Sequence, residues 1–407
     1  MRNRLLTSAL ITTAAALLSW LIPYEFSFDS EWYLKIAQGQ VAEVIAPHSS
    51  RVLYPFTVGW VHRATLIDIH AVFRLLAALS VFALAASVAI IAASEKTLPC
   101  ALALLCTPFL LRLYQNCYLP DVFHAGLLGL YFVCLFKGRY ALAVGLLLLL
   151  AMTRESTLLL ALVAAAVFVS RKRWVLGAGS VAAAAIGLAI AKAASSGGQS
   201  NLHGANELIY LALKVPFNFL QNYLGILQWT DTLASSKPLQ YPDLPLWSVA
   251  LPSWSPLGSI RAAGIYSFDP GRPLQTFVFA LSVFGCAPAI LLGVLTRRGM
   301  IVKLARHAEP WFLIALVYGI ISFALGTVTG AAVFRLIGYG WPAFVLAFPI
   351  PLRSADPQFA RWVIPVSLAS AWLPFLAPPT WDALGIAELA VLIAVNVAMY
   401  QRSASAS

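Results

Sequence analysis

Charge is what this chain has least of. Only 11% of its 407 residues are Asp, Glu, Lys or Arg, against about 25% in an ordinary soluble domain. With 60% apolar residues and a mean hydropathy of +0.82, two or three soluble domains are excluded in favour of a polytopic membrane protein. Cysteine is scarce as well: five, an odd number, at spacings that match neither a disulfide framework nor a zinc site. Cys100, Cys106, Cys134 and Cys286 lie in apolar segments and Cys117 near a predicted loop, so they read as small buried hydrophobes. There is no Walker A loop, no dinucleotide glycine fingerprint and no His-Glu-x-x-His. The apolar segments lack the matched pair of Gly/Pro-broken helices of many ion-coupled transporters, and they lack an Arg-rich voltage-sensor pattern. No internal repeat or low-complexity linker interrupts them.

Long apolar runs are present in number. They predict an all-α polytopic membrane protein of about 12 transmembrane helices, over 5–24, 71–93, 97–114, 121–136, 140–153, 156–170, 174–194, 274–296, 310–328, 336–352, 362–377 and 382–400. The fifth and sixth are short and call for tilt or a locally thin bilayer. The start, Met1-Arg-Asn-Arg-Leu5, has the basic flank of a signal peptide. The apolar stretch continues past Ala14–Ala16, which predicts an uncleaved first span with its N-terminus inside.

That orientation explains the formal net charge of +11. The inside loops receive 15 of the 27 basic residues, among them Lys137, Arg139, Arg171, Lys172, Arg173, Arg297 and Arg298, against Glu95, Glu309 and Asp356. The outside holds 12 basic and 12 acidic residues, and Glu388 lies within the last span. Short inside loops rich in Lys and Arg are what the positive-inside rule requires. The charge therefore reports orientation, and no nucleic-acid partner is needed. Both termini are expected in the cytoplasm, within a plasma or inner membrane, bacterial in preference.

Residues 1–400 read as a single transmembrane domain and 401–407 as a disordered cytoplasmic tail. Two outer loops are large, at 25–70 and 195–273. In the first, Trp32, Tyr33, Ile36, Ala37, Val41, Val44 and Ile45 recur at helical spacing, with Glu31, Lys35, Gln38 and Glu43 largely opposite. That predicts an amphipathic helix lying flat at the interface. In the second, residues 205–229 are apolar enough to resemble a thirteenth span. Pro216 and the polar face Glu207, Lys214, Asn218 and Gln221 favour an interfacial helix there. Trp229, Tyr241, Trp247, Trp254 and Tyr266 favour an interfacial aromatic belt over flat faces for a ligand.

In so uncharged a chain, each ion at a span end needs a reason. Asp29 leaves the first span and could act as a general base or cap the following helix. Asp121 opens the fourth span, again as a binding carboxylate or an N-cap. Arg51 could grip a phosphate through its planar fork or snorkel to headgroups. Arg154, beside Glu155 between two short spans, could bind phosphate or pair with its neighbour. Arg335 marks one more outer span end, just before Tyr339-Gly340-Trp341-Pro342. All of these fall on one predicted face, which suggests an outward cavity at the lipid interface.

An acid directly after the first span, an amphipathic juxtamembrane helix, Arg51-x-Leu-Tyr-Pro, the second-loop acid Asp121, the Thr153-Arg154-Glu155 turn and a large loop after the seventh span together resemble the GT-C superfamily of integral membrane glycosyltransferases. The resemblance covers the first seven spans well and the last five loosely. It implies transfer of a sugar from a polyprenyl-phosphate donor to a glycan, lipid or protein acceptor on the outer, periplasmic face, usually with inversion. By position it implies Asp29 as catalytic base. It implies Asp121, Glu31 and Tyr33 on the acceptor side, and Arg51, Arg154 and Arg335 at the donor phosphate. Many members pair two acids in the first loop. Here the string is Asp29-Ser30-Glu31, so the second acid is offset and a divalent metal is possible rather than required. The alternatives are a polymerase or ligase of lipid-linked oligosaccharides and a transporter or flippase of a lipid-linked glycan.

Overall fold

The computed structural model describes residues 2–21, 26–45, 48–195, 207–232, 247–250, 260–285, 309–328, 333–351 and 365–373. It is mostly helical, as an all-α membrane protein requires. Among the described residues, three helices are long and apolar enough to cross a bilayer: α1 (Arg2–Leu21), α4 (Ile69–Ser94) and α10 (Trp174–Ala194). Four shorter apolar helices accompany them: α7 (Pro120–Phe136), α8 (Tyr140–Thr153), α9 (Thr157–Ser170) and α13 (Pro310–Gly326).

Two of the expected spans have a different form. The 97–114 run is two helices, α5 (Leu98–Leu105) and α6 (Pro108–Gln115), bent by 49°. Pro108 causes the break, since its ring cannot follow a helical residue without clash. The 336–352 run opens as the short α14 (Val333–Ile337), passes through a 3₁₀ turn (Gly338–Gly340) and resumes as α15 (Trp341–Ala347). The eighth span is seen as α12 (Gly271–Phe284), and helix occupies 365–373 of the eleventh. The twelfth span, Glu388 and the tail lie outside the described residues.

The buried core runs through α4, α7, α8, α9, α10, α13 and α15. Val88, Leu128, Tyr131, Leu147, Leu160, Ala184, Tyr318 and Trp341 are among its near-inaccessible residues. Trp341 donates its indole N–H to the Leu104 carbonyl at 3.1 Å, which ties α15 to the bent pair. α1 packs along α4 on one side, with Ile11 against the core and Ser8 and Ala15 buried. Leu6, Leu10, Leu17, Trp20 and Leu21 are exposed on it, as side chains facing lipid would be. Cys100 and Cys117 are buried, Cys106 and Cys134 partly so, and all four are free thiols.

The segment 25–70 departs from a single amphipathic helix. α2 (Phe28–Ala37) ends where Gly39 adopts φ +90°, a left-handed turn that glycine permits at little cost. A 3₁₀ turn (Val41–Glu43) follows. The amphipathic pairing survives the break: Tyr33, Ile36 and Val44 are buried together, with Leu119 from just before α7. On the other side Lys35 bridges Glu31 at 3.8 Å and Glu43 at 3.4 Å. A further helix, α3 (Leu53–Thr65), fills the rest of the segment.

The segment after α10 carries the expected helix, α11 (Glu207–Leu224), with Pro216 inside it. Beyond it the chain turns to strand. β1 (Ile226–Thr232), β2 (Trp247–Ala250) and β3 (Ile260–Phe268) form an antiparallel sheet in the order β1-β3-β2. Ile226 stands opposite Phe268 and Trp247 opposite Ile265. Wholly α is therefore corrected to mostly α. A sheet can stand here because its backbone groups are satisfied by strand pairing, outside the segments that must be helical in lipid. Trp229, Trp247 and Tyr266 lie on these strands; Tyr241 and Trp254 lie outside the described residues.

Candidate active site

Four segments far apart in sequence bring their ions to one place. The first turn of α2 supplies Asp29, and the first turn of α7 supplies Asp121. The turn between α8 and α9 supplies Arg154 and Glu155, and α14 supplies Arg335. Arg335 is the hub. Its Nη1 donates to Asp29 Oδ2 at 2.6 Å and its Nε to Asp121 Oδ2 at 2.6 Å. The other Asp121 oxygen closes on Nη1 of Arg154. The Arg154 guanidinium also lies 3.8 Å over the Tyr339 ring, a cation–π contact that a low-dielectric site strengthens.

Helix ends favour this arrangement. Asp29 and Asp121 sit where α2 and α7 expose unpaired N–H groups, and Arg154 sits at the C-terminus of α8; each charge complements its helix dipole. Asp121 and Arg154 are only 7% and 3% exposed. Charges this deep persist only when paired, and here three carboxylates meet three guanidiniums.

Beside the hub runs a second chain of contacts. Arg51 donates through Nε to Glu155 (3.2 Å to Oε2) and through Nη1 to the Tyr33 hydroxyl at 3.2 Å. Ser50 donates to Glu155 Oε1 at 2.8 Å. His48 places Nδ1 3.2 Å from the same Tyr33 hydroxyl and Nε2 3.7 Å from Asp29 Oδ1. Burial pushes the His48 pKa down to about 4, with Asp29 opposing and Arg51 and Arg335 assisting. Burial works against the charge on Glu155, yet Arg51 and then Arg154 outweigh it and hold its carboxyl below the usual range.

Of the residues expected here, Asp29, Tyr33, Arg51, Asp121, Arg154 and Arg335 share this cluster. Glu31 does not: its carboxylate pairs with Lys35 on the half-exposed side of α2, because helical geometry turns residues two apart to different faces. The capping roles also fall away. No side chain caps α2 or α7, whose N-caps are Ser27 and Leu119. Arg51 does not snorkel; its side chain is 12% exposed and held by Glu155 and Tyr33. Nor do the adjacent Arg154 and Glu155 pair with each other; each takes a partner from another segment. His48 and Tyr339 were not singled out in the sequence. A histidine two residues before Ser50-Arg51 carries no spacing signal, and only the fold brings it to Asp29.

The donor set does not suit a divalent cation. Among the described residues no three His, Cys, Asp or Glu side chains converge as metal ligands, and guanidiniums occupy both oxygens of Asp121 and Oδ2 of Asp29. At the hub, Nη2 of Arg335 is buried and has no hydrogen-bond partner among the described residues. An unpaired cationic N–H is costly to bury, and an anion is the natural complement to it.

No family model, curated protein or solved structure matches this chain.

Proposed function

We propose that this chain is a membrane glycosyltransferase of the GT-C type. It takes a sugar from a polyprenyl-phosphate donor and passes it, with inversion, to an acceptor on the outer face. The observation that carries the reading is the hub itself: Arg335 bridges Asp29 and Asp121 and keeps one buried donor, Nη2, unspent.

The chemistry follows from that geometry. The acceptor hydroxyl oxygen forms its bond to the anomeric carbon as the bond from that carbon to the phosphate oxygen breaks. The hydroxyl proton passes to Asp29, and the polyprenyl phosphate leaves as an anion. An oxocarbenium-like transition state puts growing negative charge on the leaving phosphate. Arg335, with Arg154 behind it, offers preorganised charge for that oxygen in a poorly hydrated site. A phosphate that engages Arg335 competes with Asp29 for the same guanidinium. Donor binding then frees the carboxylate to act as base at the moment a hydroxyl is presented. The lipid tail can remain in the bilayer throughout.

The test has two arms. Mass spectrometry of lipid that copurifies with the protein is expected to find a polyprenyl-phosphate sugar. Asp29→Asn is expected to lower transfer by about 10²- to 10⁴-fold, the usual share of a general base, while retaining that lipid. Full activity in Asp29→Asn would remove the base from this assignment. Passage of the lipid across liposomes without a new glycosidic bond would remove the enzyme, and addition of preassembled blocks would make it a polymerase or ligase.

A further inference from the structure

The role of His48 follows from the direction of the hydrogen bonds around it. Arginine has donors only, so the contact from Arg51 Nη1 makes the Tyr33 oxygen an acceptor. The Tyr33 hydroxyl hydrogen is then available to His48 Nδ1, 3.2 Å away. A ring nitrogen that accepts leaves the other to carry the hydrogen. That nitrogen is Nε2, and it faces Asp29 Oδ1 at 3.7 Å. The edge of the imidazole is held as well: its ring lies 5.6 Å from that of Tyr33, at 82°. The polarity thus runs from Arg51, itself anchored on Glu155, through Tyr33 and His48 to the carboxylate.

We propose that His48 is a positioning residue for Asp29, presenting Nε2–H to Oδ1 while Arg335 holds Oδ2. The inference rests on the reading of Asp29 as base. The present 3.7 Å separation is longer than a hydrogen bond, as fits a carboxylate drawn to Arg335 at 2.6 Å. Once a donor phosphate competes for Arg335, the Nε2–H is the contact that keeps Asp29 aimed at the acceptor. The groups facing His48 are Asp29 and Tyr33 of α2, Arg51 on its own segment, Glu155 from the α8–α9 turn and Arg335 of α14.

The experiment pairs kinetics with nitrogen NMR on the full chain in detergent. His48→Ala is expected to lower kcat by about 10- to 100-fold with the donor KM within about twofold, because the loss falls on a contact made in the transition state. His48→Gln, which keeps an N–H near the Nε2 position, is expected to recover most of that loss. In the ¹⁵N-histidine spectrum, the resonance that disappears in His48→Gln is expected to be an Nε2–H tautomer, to shift in Asp29→Asn, and to lose that tautomer in Tyr33→Phe. An Nδ1–H tautomer, or a His48 signal indifferent to Asp29→Asn, would overturn the wiring whether or not the protein transfers sugar. An unchanged kcat in His48→Ala, a change in KM alone, or a loss that glutamine does not recover would overturn the positioning role. A wild-type protein without transferase activity would count against the enzyme reading, and the spectrum would still decide the His48–Asp29 contact.

Discussion

At the residue scale, the cluster is held by mutual need. Arg154 is tolerated at 3% exposure because Asp121 meets it, and Asp121 because Arg154 and Arg335 both meet it. Removing one member leaves the others charged and buried. Asp121→Asn is therefore expected to destabilise the protein by about 3–5 kcal/mol, the usual cost of orphaning a buried ion. Thermal unfolding in detergent reads this directly. A loss of activity without loss of stability would mean that Arg154 finds solvent or another acceptor. Arg335 has a different dependence. Its planar fork reaches two carboxylates from two helices at once, which a lysine ammonium cannot do with the same geometry.

At the scale of elements, the site depends on close backbone approach between α2 and α3. α3 passes beside the end of α2 at Gly59, where a Cβ would collide with the Ala37 carbonyl oxygen. Backbone gives way less readily than a side chain, so Gly59→Ala should push α3 off α2. An overpacked contact of this kind costs about 1–3 kcal/mol. Because α2 carries both Asp29 and Tyr33, the same substitution is expected to lower transfer activity more than unfolding alone accounts for. The check compares activity and melting temperature for Gly59→Ala and for Gly145→Ala. At Gly145 nothing lies within 4 Å of the added methyl, so neither quantity should fall. This element was only half legible in the sequence. The apolar period that ran from Trp32 to Ile45 correctly named the buried face, because side-chain hydropathy decides which face packs. It did not show that the chain turns at Gly39 and begins again as α3. A glycine inside a periodic run is compatible with a continuous helix and with a left-handed break.

At the scale of the whole molecule, pH dependence and orientation offer two tests. His48 is held well below 6.5, at about 4. The unfolded chain therefore binds its proton first as pH falls, and stability declines between about pH 6.5 and 4. Glu155, held below its ordinary range, adds a loss in the same direction as the pH falls below the unfolded carboxylate value. The melting temperature is expected to be flat from about pH 7 to 8 and to drop steadily below about 6.5. In His48→Gln that drop should become shallower. An unchanged profile would mean that His48 titrates normally in the folded protein. The charge bias of the loops predicts Lys172 on the inner side and Glu43 on the outer. Both residues are exposed. In intact cells a membrane-impermeant maleimide should label Glu43→Cys at once and Lys172→Cys only after lysis. The reverse pattern would invert the proposed topology.

What the sequence determined by itself is what depends on composition and local period. A chain with 11% charge and repeated apolar runs must bury them in lipid, and lipid forces most of its backbone into helices. Six of the residues now found together could also be named from their place in the chain alone. The partners of those residues were decided only by the tertiary structure. Asp29 and Arg335 are separated by 306 positions, and Asp121 and Arg335 by 214. No local propensity relates residues so distant. Their pairing arises because desolvated charges must find one another wherever the packed helices bring them. The same holds for His48, whose meaning came from a neighbour, and for the sheet after α11, whose strands exist only through their pairing.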